Sequence, residues 1–196
     1  MPDIKFAPEL LQWKLMDFSA NLRSTKKYIG GKGVDLFCKK NSKYLTFVDE
    51  RGVNVGFTSS GDNKVFFQLA DGTQRDILTG DLVAFGIGGN PSFLTYSSQM
   101  IGINLSYRSS PAFEWVIMDA TGQGGRPIAP GMDVAISNNK VDIGGAKAVD
   151  FLVYMERPGG DIAWTTSPHW RDDILGMAKN AGRKLAEKAV LKAIRG

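Results

Sequence analysis

Between Val34 and Ser167 the sequence is divided into short apolar runs by turn-forming residues, and this feature restricts the possible folds most strongly. β-branched, aromatic and aliphatic residues alternate with Gly, Asn, Asp, Ser and Pro. Turn signals recur every 8 to 12 residues or so, at roughly the spacing of an all-β sandwich or barrel rather than of βαβ units. Strands are predicted over residues 34–39, 43–48, 53–59, 64–70, 82–87, 92–97, 101–107, 113–119, 133–138, 140–144, 149–156 and 161–166.

The predicted strands form three groups of four, because short motifs recur along the chain. A repeat of roughly 40 to 50 residues is typical of propeller blades or of a closed threefold fold. Three units are too few for a propeller, which has about 4 to 8 blades. The recurring motifs are Gly33-Val34-Asp35-Leu36 with Gly80-Asp81-Leu82-Val83 and Gly131-Met132-Asp133-Val134, Tyr44-Leu45-Thr46 with Phe93-Leu94-Thr95, and Phe67-Gln68-Leu69 with Trp115-Val116-Ile117.

This order of motifs resembles the repeat of the β-trefoil superfamily. Lys43-Tyr44-Leu45-Thr46 and Phe67-Gln68-Leu69 are most similar to its fascin-like and growth-factor-like members. The resemblance covers residues 33–167 and implies repeats over 33–79, 80–130 and 131–167. In the third, Lys140-Val141-Asp142-Ile143 replaces the aromatic-Leu-Thr element. The Gln-x-Trp signature of ricin-type lectin repeats is absent, since Gln12-Trp13 lies in a predicted helix with the wrong spacing, so no ricin-type sugar pocket is implied.

Helices are predicted at both ends of this β-rich body. Residues 1–32 are interpreted as an N-terminal helix and linker, with the helix over 8–23: Pro8 suits a first helical position, and apolar residues follow at helical spacing. Residues 168–196 are predicted to form a second helix, with Ser167 as its N-cap. This segment holds seven basic and three acidic residues, and therefore the whole net charge of +4.

The residue inventory argues against most enzyme classes. The chain has one cysteine, Cys38, and one histidine, His169, which excludes a disulfide framework, a multi-thiolate zinc site and any mechanism that needs two histidines. No Gly-x-Ser-x-Gly elbow, Walker loop or calcium loop occurs. Asp71 and Asp119 occupy equivalent repeat positions, which favours a structural turn role. We therefore expect no catalytic residues, no metal and no cofactor.

Tyrosines and asparagines at predicted strand ends and turns are the candidate ligand-binding residues. Sugar rings stack on aromatic faces while loop side chains supply hydrogen bonds. The tyrosines are predicted to be exposed stacking platforms, together with Trp170. The candidates are Asn90, Tyr96, Asn104, Tyr107, Asn139 and Tyr154.

The basic helix has two interpretations, a structural cap on the barrel or a surface-binding element. Its apolar stripe is rich in alanine and inserts weakly into a membrane, so stable binding would also need attraction to anionic lipid or several copies in a homo-oligomer. The residues proposed for that role are Lys179, Arg183, Lys184, Lys188 and Lys192.

The leading hypothesis is a non-enzymatic, lectin-like or protein-binding module that recognises a carbohydrate or a protein surface. The alternatives are a membrane-acting, toxin-like protein that uses its terminal helices, and a fascin-like actin-binding protein. Nucleic acid is not an expected partner, because residues 1–167 carry no net charge. The N-terminus has no secretory signal, which predicts a cytoplasmic protein or one exported by another route.

Overall fold

A computed structural model of the chain describes residues 8–25, 33–48, 55–88, 93–98, 104–140, 150–156 and 162–166. These residues form an all-β fold, as predicted, with one 3-10 turn at Pro8–Leu10. The strands are β1 (Trp13–Met16), β2 (Asp35–Cys38), β3 (Lys43–Phe47), β4 (Val55–Thr58), β5 (Val65–Leu69), β6 (Leu82–Ile87), β7 (Phe93–Tyr96), β8 (Leu105–Arg108), β9 (Phe113–Asp119), β10 (Asp133–Asn138), β11 (Asp150–Tyr154) and β12 (Ile162–Thr166).

Each strand predicted between residues 34 and 138 overlaps one of β2 to β10, and the last two predicted strands overlap β11 and β12. The strand predicted over 140–144 lies, except for Lys140, outside the described residues. The C-terminal helix predicted over 168–196 lies wholly outside them.

The helix predicted over residues 8–23 is wrong, since this segment contains the 3-10 turn and β1. Trp13 and Leu15 are buried while the residues after each are half-buried, which is the alternation of a strand. Asp17 and Ala20 have φ values of 63° and 88°, which an α-helix does not contain. The helical stripe was misleading because leucines four residues apart also fall on one face of a strand.

Three strand pairs alternate with three hairpins along the chain. The pairs β1–β2, β5–β6 and β9–β10 are antiparallel. The hairpins β3–β4, β7–β8 and β11–β12 pair with β2, β6 and β10. Each hairpin therefore extends one strand pair, and the order repeats three times.

The three strand pairs are also joined to one another. β1 pairs with β10, and β6 with β9. β2 and β5 are linked by a bridge at Val34 and Val65, whose N–H groups donate to each other's carbonyl oxygens at 2.7 and 3.1 Å. The antiparallel sheet therefore curls: strand ladders connect β2, β1, β10, β9, β6 and β5 in that order, and the isolated bridge from Val34, just before β2, to Val65 joins the two ends.

Large aromatic residues fill the space enclosed by this sheet. Phe85 contacts Phe67 and Trp115, with ring centroids 5.0 and 5.3 Å apart, and all three side chains are buried. Trp13 of β1 and Trp115 of β9 are buried in the same core. Cys38 also lies in this core, and burial raises the pKa of its thiol.

Candidate functional site

The three hairpins carry the same pattern of side chains. On each hairpin a leucine is paired across the two strands with an aromatic residue, and two residues further along an aromatic residue is paired with an aliphatic one. The leucine and both aromatic residues share one face, because side chains alternate along a strand. We call the six aromatic residues the aromatic face: Phe47 and Phe57, Tyr96 and Tyr107, Tyr154 and Trp164.

The aromatic face joins each hairpin to the other two. All six side chains are half-buried. Edge-to-face aromatic pairs contribute about 0.5 to 1.5 kcal/mol beyond the area that they bury. The pairs are Phe47 with Tyr107 (centroids 5.7 Å apart, planes at 68°), Phe57 with Tyr154 (5.7 Å, 83°) and Tyr96 with Trp164 (6.3 Å, 74°). We refer to these three contacts as junctions.

The structure thus brings the three predicted tyrosines onto one face, although none of them is fully exposed. Desolvation by burial raises the pKa of the Tyr107 hydroxyl above its ordinary value. Asn104 precedes β8, and its carbonyl oxygen accepts the Ser97 N–H at 3.2 Å. Asn90, Trp170 and the five basic residues predicted on the C-terminal helix lie outside the described residues.

A buried glutamate connects two of the predicted residues. The Glu114 side chain is 0% exposed. Its Oε1 accepts the Tyr96 N–H at 2.5 Å, the Thr95 hydroxyl at 3.0 Å and the Asn138 amide at 3.0 Å. Its carbonyl oxygen accepts the Asn139 N–H at 2.9 Å. Glu114 therefore holds β7, β9, β10 and the turn after β10 together.

The second carboxylate oxygen of Glu114 faces a lysine. Lys140 Nζ lies 3.0 Å from Oε2, and the Lys140 side chain is 57% exposed. The two atoms form an ion pair without hydrogen-bond geometry, since Oε2 has no hydrogen-bond partner among the described residues. Oε1 of this carboxylate thus accepts three hydrogen bonds, whereas the equally buried Oε2 faces the ammonium group of a side chain that is more than half exposed.

Gln12 occupies the matching position beside Tyr154. Its Oε1 accepts the Tyr154 N–H at 2.8 Å, and its carbonyl oxygen accepts the Lys39 N–H at 2.8 Å. Its Nε2 donates to the Glu9 carbonyl oxygen at 2.8 Å. Both polar atoms of this side chain are therefore bonded, unlike those of Glu114.

Trp13, Trp115 and Trp164 also differ in whether their indole N–H has a hydrogen-bond partner. Trp13 Nε1 donates to the Leu152 carbonyl oxygen at 2.7 Å, and Trp115 Nε1 donates to that of Leu94 at 3.0 Å. Trp164 stacks on Trp115, with centroids 5.8 Å apart and planes at 23°, but its Nε1 has no hydrogen-bond partner in the described part of the chain. Trp164 is thus a half-buried ring with an unused donor.

Sequence reasoning missed Gln12, Glu114 and Trp164, although a signal for two of them is present. Leu11-Gln12-Trp13-Lys14-Leu15-Met16 resembles Phe113-Glu114-Trp115-Val116-Ile117-Met118 at every position except the fourth, where Lys14 corresponds to Val116. The match went unused because the first segment was interpreted as a helix. Asp71 and Asp119 do have their predicted turn roles, since each accepts the N–H of the threonine two residues later at 2.9 Å.

No protein-family model matches this chain, and neither does any curated protein or solved structure. Among the described residues, no group of three or more His, Cys, Asp or Glu side chains could hold a metal ion. The same residues include no helix long and apolar enough to cross a membrane.

Proposed function

We propose that the protein is a β-trefoil with repeats β1–β4, β5–β8 and β9–β12. The alternation of strand pairs and hairpins supports this division, which begins each repeat one strand earlier than the predicted repeats 33–79, 80–130 and 131–167. Leu45, Leu94 and Leu152 then correspond, because they pair with β2, β6 and β10 respectively. On this division Phe151-Leu152-Val153, rather than residues 140–143, is the third copy of the aromatic-Leu-Thr element.

We further propose that the protein is a non-enzymatic binding module, and that Tyr96 and Trp164 bind a carbohydrate ring. The observation that carries this proposal is the Nε1 donor of Trp164, which is buried without a hydrogen-bond partner among the described residues while the indole ring as a whole is half-buried. Aromatic rings bind the apolar faces of sugars, and a neighbouring N–H complements a sugar hydroxyl. A protein surface is the competing ligand, and the experiment below separates the two.

The other two junctions lack this combination. At those junctions Tyr154 and Tyr107 contact Phe57 and Phe47, whose phenyl rings take the place of an indole and have no N–H donor. The proposal therefore predicts one carbohydrate site per chain, although the hairpin pattern occurs three times.

The test is binding of the full chain to a glycan array, followed by calorimetric titration of the best glycan. Trp164→Phe keeps a ring but removes Nε1, and we expect it to weaken binding by about fivefold, the effect of one lost neutral hydrogen bond. Tyr107→Phe, which changes a buried hydroxyl at another junction, is the matched control and should bind as the unchanged protein does.

A stoichiometry near one with loss only in Trp164→Phe supports the site. Equal loss in both variants would mean that the aromatic face acts only through stability. Absence of saturable binding to any glycan would reject a carbohydrate ligand and leave a protein surface as the candidate.

A further inference from the structure

Glu114 places a carboxylate where the fold does not require a charge. Three buried core aromatic residues lie in β1, β5 and β9, namely Trp13, Phe67 and Trp115. The residues that directly precede them are Gln12, Phe66 and Glu114 respectively. All three side chains are at least nine-tenths buried. A neutral amide and a phenyl ring therefore serve at two of the three positions. Burying a carboxylate is unfavourable unless all of its lone pairs are compensated.

The compensation of Glu114 is incomplete on one side only. Oε1 accepts three hydrogen bonds, whereas Oε2 accepts none among the described residues and faces the ammonium group of Lys140 at 3.0 Å. Since the Lys140 side chain is 57% exposed, its ammonium group approaches Oε2 from the solvent side. The position beside the buried Oε2 therefore accommodates an ammonium group, and the side chain that supplies it is more than half exposed.

We propose that Glu114 Oε2 is a recognition point for the protonated primary amine of an amino sugar, whose ammonium group replaces that of Lys140. This inference rests on the proposed carbohydrate function. Tyr96 links the two parts of the site, since its N–H donates to Glu114 and its ring contacts Trp164. Glu114 selects ligands that carry an amine, and the rings of Tyr96 and Trp164 contact the sugar ring.

An ammonium group suits this position better than a neutral hydroxyl. A hydroxyl would compete with Lys140 for the carboxylate without replacing its positive charge. An ammonium group restores both the charge and a donor, and a charge-assisted hydrogen bond is roughly twice as strong as a neutral one. Exchange of one ammonium group for another leaves the buried charge paired throughout.

The experiment compares two oligosaccharides that differ only at nitrogen, a glucosamine oligomer and its N-acetylated counterpart. Both are titrated into the full chain at a pH below the pKa of the sugar amine. We expect the glucosamine oligomer to bind about tenfold more tightly, the effect of one charge-assisted hydrogen bond.

Three variants test the origin of this preference. Glu114→Gln should abolish it while leaving affinity for the N-acetylated oligomer unchanged, because Gln12 shows that an amide oxygen can accept the same backbone N–H. Lys140→Met should enlarge it by removing the competing ammonium group. Lys39→Met, the matched control, changes a lysine that pairs with Asp133 and should leave it unchanged.

Equal affinity of the unchanged protein for the two oligomers would overturn the amine site and leave the carbohydrate proposal intact. A preference that persists in Glu114→Gln would also overturn it, provided that the variant is folded by circular dichroism. If neither oligomer nor any other glycan binds, both proposals fail together.

Discussion

Gln12 and Glu114 perform one structural task at two places in the molecule. Each precedes a buried tryptophan, and each side chain accepts the N–H of a tyrosine on a neighbouring hairpin. The carbonyl oxygen of each accepts the N–H of a residue just after β2 or β10. They differ in that the amide of Gln12 uses both of its polar atoms, while Glu114 leaves Oε2 to an exposed lysine.

The difference between Gln12 and Glu114 shows which property of these side chains the fold requires, a buried acceptor, and which it does not, a negative charge. The positions of Gln12 and Glu114 both need a buried acceptor, because the tyrosine N–H of the neighbouring hairpin would otherwise be buried without a partner. Neither needs a negative charge for this purpose. The charge of Glu114 therefore calls for an explanation other than hairpin attachment, and substitutions at the two positions can measure it.

The largest expected effect is that of Glu114→Ala. The variant leaves the Tyr96 N–H and the Asn138 amide without their acceptor and removes the partner of Lys140. We expect the free energy of unfolding to fall by about 3 to 5 kcal/mol, as for other broken buried ion networks. Urea denaturation measures this, with Gln12→Ala as the control at about 2 kcal/mol. Equal losses would show that the charge adds nothing to the network.

Gln12→Glu should destabilise the protein by about 2 kcal/mol, because a carboxylate oxygen would then face the Glu9 carbonyl oxygen in place of the Nε2 donor. The melting temperature of the full chain is the measurement. An unchanged melting temperature would mean that position 12 accepts a charge as readily as position 114 does.

Glu114→Gln should have a smaller effect, a loss of about 1 kcal/mol or less. The amide oxygen can replace Oε1, and the ion pair that is lost involves a lysine that is more than half exposed. Lys140→Met should cost more than Glu114→Gln, because it leaves the buried carboxylate without a cation, and the double variant should cost no more than Glu114→Gln alone. Additive losses in this cycle would show that the two side chains act independently.

The smallest effect concerns the junction between Phe47 and Tyr107 and appears only in alkaline solution. Desolvation raises the pKa of the Tyr107 hydroxyl in the folded protein. The unfolded chain loses this proton above about pH 10, the ordinary tyrosine value, while the folded protein still retains it. Stability from this group therefore falls as the pH rises past that value. Tyr107→Phe should show a shallower alkaline loss of unfolding free energy than the unchanged protein, and an identical slope would contradict this origin.

The strands of the body were predictable because each is a short run of strand-forming residues ended by turn formers. The turn roles of Asp71 and Asp119 followed from the same local pattern. The N-terminal segment was not predictable in this way. Its leucines fit both a helical and a strand period, and the choice depended on pairing with Cys38 and Val134, which lie far along the chain.

The candidate site was predictable only in part. Tyr96, Tyr107 and Tyr154 were selected as binding residues, and all three belong to the aromatic face. Their half-buried positions could not be foreseen, because each contacts an aromatic residue of a different hairpin. An acid in the middle of a strand-like sequence is ordinarily a solvent-exposed residue, so Glu114 did not stand out.

By itself the sequence determined the all-β class, the positions of most strands and the threefold recurrence of short motifs, because these depend on properties of neighbouring residues. Only the tertiary structure decided that residues 13–16 form a strand, that three hairpins meet through aromatic pairs, and that Gln12 and Glu114 accept bonds from Tyr154 and Tyr96. The physical reason is that such contacts join residues distant in sequence, and their energies depend on burial and pairing that exist only once the sheet has curled.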